Sequence, residues 1–127
     1  IAPGKSYTSS MSPTILFDDA GAHIVIGAPG AAYIPQAISQ SIVNTVDFGL
    51  SMSEAVSAPR IAITKNQTVE VSNRIPHFVT DEIERMGYGL IRNHLSYAFA
   101  GVHGVKTVNG GWQGGADPGR DGVALVV

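Results

Sequence analysis

The chain has 127 residues, 44% of them hydrophobic and 14% charged, which suits one globular domain with a real core and not a disordered tail. Its net charge is −2, with eight Lys and Arg scattered along it, so no basic stripe points to nucleic acid. The absence of Cys excludes disulfides, thiolate chemistry and Cys-based zinc sites, and no apolar run approaches the ~20 residues of a membrane span.

Low charge together with 15 Gly fits a chain that buries much of its surface against something else. The start, Ile1-Ala2-Pro3-Gly4-Lys5, has no Met and no basic-then-apolar signal pattern. The chain therefore reads as a processed product or a fragment.

In chain order, the polar stretch Ser9-Ser10-Met11-Ser12-Pro13-Thr14 leads into a short apolar strand ending at Asp18. Asp18-Asp19-Ala20-Gly21 is a turn signal, and His23-Ile24-Val25-Ile26 is rich in β-branched residues. Two strands across such a turn predict an antiparallel hairpin. Gly27-Ala28-Pro29-Gly30-Ala31-Ala32 then runs into a helix over Tyr33–Phe48. Ile34, Ala37, Ile38, Ile42, Val43 and Val46 form its apolar stripe. Pro35 requires the helix to begin near 32–34, and Gly49 is its C-cap.

A second short helix is predicted from Ser53 as N-cap through to Pro59. Short strands follow at Ile61–Thr64 and Thr68–Val71, then a helix from Thr80 through Met86 stopped by Gly87, then a strand over Gly89–Arg92. Ala100–Val108, the turn Asn109-Gly110-Gly111 and the segment from Trp112 onward predict a last hairpin, closed by the tight loop Asp117–Gly122. Hairpins interrupted by two main helices give an α+β domain, with helix packed on antiparallel sheet.

A strand that ends in a Gly-rich loop at a helix N-terminus is an anion-binding device. Its unpaired N–H groups carry partial positive charge, and small residues allow close approach. Such a loop can hold a carboxylate, a phosphate or a developing oxyanion; taken alone, it reads first as an ordinary tight strand-to-helix turn, because a lone Gly-rich turn is a low-specificity signal. It has neither the dinucleotide nor the Walker spacing. Ser9, Ser10 and Ser12 can likewise cap their own loop, or donate hydrogen bonds to a substrate carboxylate.

His23, His77, His94 and His103 lack metal-ligand spacing. Asp18 and Asp19 read as turn residues and not as an acid/base pair. Asp117 and Asp121 could flank a cation, but a solvated turn with Arg120 as counter-charge is the expectation. Trp112, set among glycines, lines a pocket, packs on a partner, or fills the core.

Ser9-Ser10-Met11-Ser12-Pro13-Thr14, Gly27-Ala28-Pro29-Gly30-Ala31, the run Asp47–Val56, Ala58-Pro59-Arg60-Ile61 and Asp117-Pro118-Gly119-Arg120-Asp121-Gly122, in that order, resemble the γ-glutamyltranspeptidase family over essentially the whole chain. The resemblance implies an N-terminal-nucleophile hydrolase with a four-layer αββα sandwich, made by a precursor that cleaves itself into large and small subunits. It implies attack on a γ-glutamyl amide, as in glutathione-type substrates, by the N-terminal Thr of the small subunit. The acyl-enzyme then passes to water or an amine.

Residue by residue, Ser9 and Ser10 match the serine pair that binds the glutamyl α-carboxylate. Gly30 and Ala31 match the glycine pair whose backbone N–H groups form the oxyanion hole. Ala31 departs from the family glycine; if that position needs a positive φ, Ala costs about 1 kcal/mol or more. Tyr33 departs from the usual basic or polar residue. The nucleophilic Thr and the acidic residue for the substrate amino group belong upstream. The chain then corresponds to the C-terminal part of the small subunit, one domain over residues 1–127 that is inactive alone and partnered by the rest of its precursor. No cofactor, metal or nucleic acid is implied, and a periplasmic or secreted setting is. A related amidase or acylase with a non-glutamyl substrate, and a non-catalytic binding protein, are the alternatives.

Overall fold

The structure, a computed structural model, describes residues 1–63 and 68–125, excepting the side chains of Ser96 and Tyr97. In chain order its elements are β1 (Thr14–Asp18), β2 (Gly21–Gly27), α1 (Ile34–Val46), α2 (Met52–Ser57), β3 (Ile61–Ile63), β4 (Thr68–Ser72), α3 (His77–Arg85), β5 (Gly89–Asn93), β6 (His103–Val108) and β7 (Gly111–Ala116), with short 3₁₀ turns at Ala31–Tyr33, Ser96–Phe99 and Pro118–Arg120. The fold is α+β. Thr64 and the predicted Lys65-Asn66-Gln67 connection lie outside the described residues.

One sheet has the order β1-β2-β6-β7, and each neighbouring pair is antiparallel. Both of its hairpins have the turn chemistry the sequence predicts. Asp18 closes the first by accepting from the Ala20 N–H at 2.8 Å. Asn109 and Gly110 have φ of 51° and 79°, the left-handed pair of a type I′ turn. The last strand pair is shorter than expected: Ala100 has φ 65°, so regular pairing begins only at His103.

The second sheet, β3-β4-β5, differs from expectation. β3 and β4 are antiparallel, but β4 and β5 run parallel, with α3 as the crossover between them. α3 starts at His77 and not at Thr80, because Pro76 sits at the N-cap with extended ψ and the helix winds directly after it. Thr80 is instead a buried residue inside the helix, its hydroxyl returned to the His77 carbonyl at 2.9 Å.

α1 and α2 cover one face of the first sheet. The core joins Ile24 and Ile26 of β2, Ile34, Ala37 and Ile38 of α1, Met52 and Val56 of α2, and Ala100 and Val102. The buried stripe of α1 continues through Ser41 and Thr45, while Val43 and Val46 face outward. Thr45 fits there because its hydroxyl bonds back to the Ser41 and Ile42 carbonyls at 3.1 and 2.9 Å.

α2 begins two residues earlier than predicted. Ser51, not Ser53, is the N-cap: its hydroxyl accepts from the Glu54 N–H while the Glu54 carboxylate accepts from the Ser51 N–H. This is a capping box, which satisfies two helix donors reciprocally. α2 lies close on the sheet because Gly104 and Gly115 face each other across β6 and β7. A Cβ on Gly115 would sit 2.5 Å from the Met52 carbonyl oxygen.

Candidate active site

Antiparallel pairing sets Thr14, the first residue of β1, opposite Ile26 near the end of β2. The serine stretch that enters β1 and the Gly-rich loop that leaves β2 therefore lie at the same end of the hairpin. In the serine stretch the Ser9 Oγ accepts from the Met11 N–H at 3.2 Å, and the Ser12 hydroxyl donates to the Ser10 carbonyl at 3.0 Å. The local capping anticipated from sequence is thus present. An accepting Ser9 Oγ keeps its own proton for a second partner, and Ser9 is exposed.

The loop is held from both sides. The Pro29 carbonyl accepts from the Gly101 N–H at 3.0 Å. Gly30, with φ 147°, lies against Ala100 so closely that an added Cβ would sit 2.3 Å from the Ala100 Cβ. Ala31 follows with φ 51°, a left-handed conformation that costs a non-glycine residue about 1–2 kcal/mol. The positive φ on which the suitability of Ala turns is therefore present. The Gly30 carbonyl accepts from the Tyr33 N–H at 3.2 Å and the Ala31 carbonyl from the Ile34 N–H, so the 3₁₀ turn runs directly into α1. Among the described residues the Gly30 and Ala31 N–H groups have no protein acceptor, and both precede the positive end of a 13-residue helix.

Beneath this loop lies a buried ion pair. Arg60 and Asp117 are 5% and 4% exposed and bonded to each other. Arg60 also donates to the Val56 carbonyl at 2.7 Å and the Ala100 carbonyl at 2.9 Å. Asp117 accepts from the Gly119 N–H at 2.8 Å and the Val102 N–H at 3.3 Å. The pair thus fixes residues 100–102, against which Gly30 rests. The expected solvated turn at Asp117 is corrected: the carboxylate is buried and its counter-charge includes Arg60, far away in sequence. Both residues stand in the motifs that carry the family resemblance, yet no spacing rule links them.

Tyr33 ties the loop to the other sheet. Its hydroxyl donates to the Glu70 carboxylate of β4 at 2.7 Å, and its ring meets the buried Phe99 edge-on, centroids 6.4 Å apart. The Asn93 side-chain amide of β5 donates to the other Glu70 oxygen. The hydrogen bond to Glu70 raises the Tyr33 pKa above the ordinary phenol value, with burial and the Glu70 charge acting the same way. Sequence reasoning noted Tyr33 only as a departure from the family and did not find Glu70 or Asn93.

The remaining candidates do not join this site. His23 uses one nitrogen, Nδ1, toward both Thr107 Oγ1 at 2.9 Å and Asp18 Oδ2 at 3.2 Å. Among the described residues no group of three or more His, Asp and Glu is gathered as metal ligands, and no helix is long and apolar enough to cross a membrane. Trp112 is 58% exposed on β7, so it does not fill the core of this chain.

The family model described as gamma-glutamyltranspeptidase matches residues 1–127. The glutathione hydrolase proenzyme of Bacillus subtilis (strain 168) is 29% identical over 98% of this chain and 21% of its own length. The acylase ACY 1 proenzyme of Pseudomonas sp. (strain SE83) is 34% identical over 73% of this chain and 16% of its own length. The chain thus spans about a fifth of the length of the curated relatives it matches. Among solved structures, γ-glutamyltranspeptidase from Pseudomonas nitroreducens complexed with L-DON superimposes with a TM-score of 0.86 at 30% identity, covering 100% of this chain and 67% of that one. With the family match spanning every residue and the fold shared with such an enzyme, the chain belongs to the γ-glutamyltranspeptidase family.

Proposed function

We propose that this chain is the C-terminal part of the small subunit of an amidohydrolase that cleaves γ-glutamyl amides. It supplies the groups that bind and polarise the substrate, and another segment of the same precursor supplies the nucleophile. The observation that carries this reading is the loop Pro29–Ala31. It presents two backbone N–H groups that have no protein acceptor among the described residues, at the mouth of α1 and at the same end of the hairpin as the serine stretch.

In this reading Ser9 and Ser10 donate hydrogen bonds to the α-carboxylate of the glutamyl group. The Gly30 and Ala31 N–H groups face the oxygen of the scissile carbonyl. A threonine hydroxyl, deprotonated by its own α-amine, attacks the carbonyl carbon, and negative charge collects on that oxygen. Donors already fixed in place stabilise that charge without reorganising. Collapse expels the leaving amine with the proton and leaves a γ-glutamyl ester, which water or an acceptor amine then resolves.

A second reading, an acylase acting on a non-glutamyl amide, has one specific support: the acylase ACY 1 proenzyme is among the relatives and is 34% identical over 93 residues.

The test is intact mass and N-terminal sequencing of everything that co-purifies when the complete reading frame is expressed, followed by a γ-glutamyl anilide assay. A polypeptide that begins with Thr and contains these residues, with release of the anilide, is the expected result. Hydrolysis of a non-glutamyl acyl amide alone would favour the acylase. A protein with neither cleavage nor activity would sink both readings and leave a binding protein.

A further inference from the structure

Ala31 occupies a left-handed conformation that alanine avoids, and strain of this kind persists only where the surroundings over-determine it. Upstream of it the restraint is visible in the Pro29–Gly101 hydrogen bond and in the contact of Gly30 with Ala100. Downstream, the first side chain able to reach beyond the loop is Tyr33, which ends on Glu70 of the second sheet. Glu70 is in turn held by Asn93 on the parallel neighbour β5.

We propose that the Tyr33–Glu70 hydrogen bond is a clamp that holds Ala31 in its left-handed turn, so that Tyr33 is a positioning residue for the Gly30 and Ala31 N–H groups. The inference rests on the proposed role of those amides as the oxyanion hole. Tyr33 lies two residues past Ala31, and its own N–H closes the turn onto the Gly30 carbonyl. A shift of the tyrosine therefore passes directly into the orientation of the donors. Its raised pKa keeps the hydroxyl protonated, and so able to donate, through the range in which such an enzyme would work. Asn93 fixes the second oxygen of Glu70 and leaves the first aimed at Tyr33. The clamp also couples the two sheets, since β4 belongs to one and the loop emerges from the other.

The test uses the processed protein from the complete reading frame, with a γ-glutamyl anilide as donor. Tyr33→Phe removes only the hydroxyl, Glu70→Leu removes its acceptor, and Glu70→Gln keeps an acceptor oxygen. Loss of this one hydrogen bond is expected to lower kcat about three- to tenfold in Tyr33→Phe and Glu70→Leu, with KM within about twofold and most of the loss recovered in Glu70→Gln. In an Ala31→Gly background, where the turn is no longer strained, Tyr33→Phe is expected to have a smaller effect on kcat. Amide hydrogen exchange supplies a readout independent of activity: the Gly101, Tyr33 and Ile34 N–H groups that close the loop should exchange faster in Tyr33→Phe.

An active enzyme whose kcat is unmoved by Tyr33→Phe overturns the clamp and leaves the proposed reaction standing. A rise in KM at constant kcat overturns it as well, because Tyr33 would then be a substrate contact. If the parent protein is inactive on every γ-glutamyl donor, the reaction falls. Faster exchange at those three amides would then support the clamp as a structural device, and unchanged exchange would overturn it too.

Discussion

Arg60 and Asp117 show what a single residue pair contributes here. Removing one partner of a buried ion pair leaves the other charge without compensation, a loss of about 3–5 kcal/mol, whereas replacing both with apolar groups is far milder. Arg60→Met or Asp117→Leu alone is therefore expected to lower the denaturant midpoint severely, and the double substitution to restore much of it. Additive losses in that cycle would mean that the two do not act as a pair. Ser9 is expected to behave differently: it is exposed and its proposed partner is a substrate carboxylate. A hydrogen bond to a charged group is worth about 1.5–3 kcal/mol, so Ser9→Ala should lower kcat/KM by about tenfold or more while the midpoint stays put. The residue scale was partly legible in the sequence. The serine pair and the Gly-rich loop announce themselves by composition and order, and the question of a positive φ at Ala31 could be posed. That Asp117 meets Arg60, or Tyr33 meets Glu70, depends on how two sheets pack, and no local period carries it.

Among the elements, α2 owes its start to the capping box. Ser51→Ala removes the side-chain acceptor for the Glu54 N–H and is expected to cost about 1 kcal/mol, read as a shift in thermal midpoint. The box also has a pH signature. Hydrogen bonds from the Ser51 hydroxyl and then the Ser51 N–H lower the Glu54 pKa below its ordinary value. A carboxyl depressed in the folded state favours folding above its unfolded pKa, and that contribution is lost as pH falls through the lower folded value. Stability should thus decline on acidification across the acidic carboxylate range, and Glu54→Gln should flatten that part of the profile; an unchanged slope would remove Glu54 from the account. Helices α1 and α2 and the two hairpins were readable because turn residues and apolar spacing are local signals. The start of α2 was misplaced because Ser51 and Ser53 are both competent caps, and only Ser51 has Glu three positions on. The parallel pairing of β4 with β5 was not readable, since short strands flanking a short helix do not state their relative direction.

At the scale of the whole molecule, the helices cover one face of the first sheet, and among the described residues the opposite face is only partly covered, where Ala124 lies against Gly114 of β7. Side chains alternate along a strand, so Ile24 and Ile26 are buried under the helices while Val25 between them points the other way. Val25 is paired with Ile15 on one side and Val105 on the other, and Ile15, Val25 and Val105 form an apolar row that, within this chain, is 53%, 38% and 37% exposed in that order. Trp112 extends the same face toward β7. Two β-sheets stack through such rows to make a shared core, so the proposed remaining segments of the precursor have an obvious seat here. The composition hinted at it through low charge and abundant glycine, but the face itself emerged only once the register was known. Val25→Lys discriminates the possibilities. On a free surface the substitution changes stability by no more than about 0.5 kcal/mol. Under a second layer it strands an unpaired ammonium in the core, which the fold resists strongly. We therefore expect Val25→Lys in the complete protein to leave an uncleaved precursor on a denaturing gel, with Val25→Ile cleaved normally. Normal cleavage and yield in Val25→Lys would mean that no further layer packs over Val25.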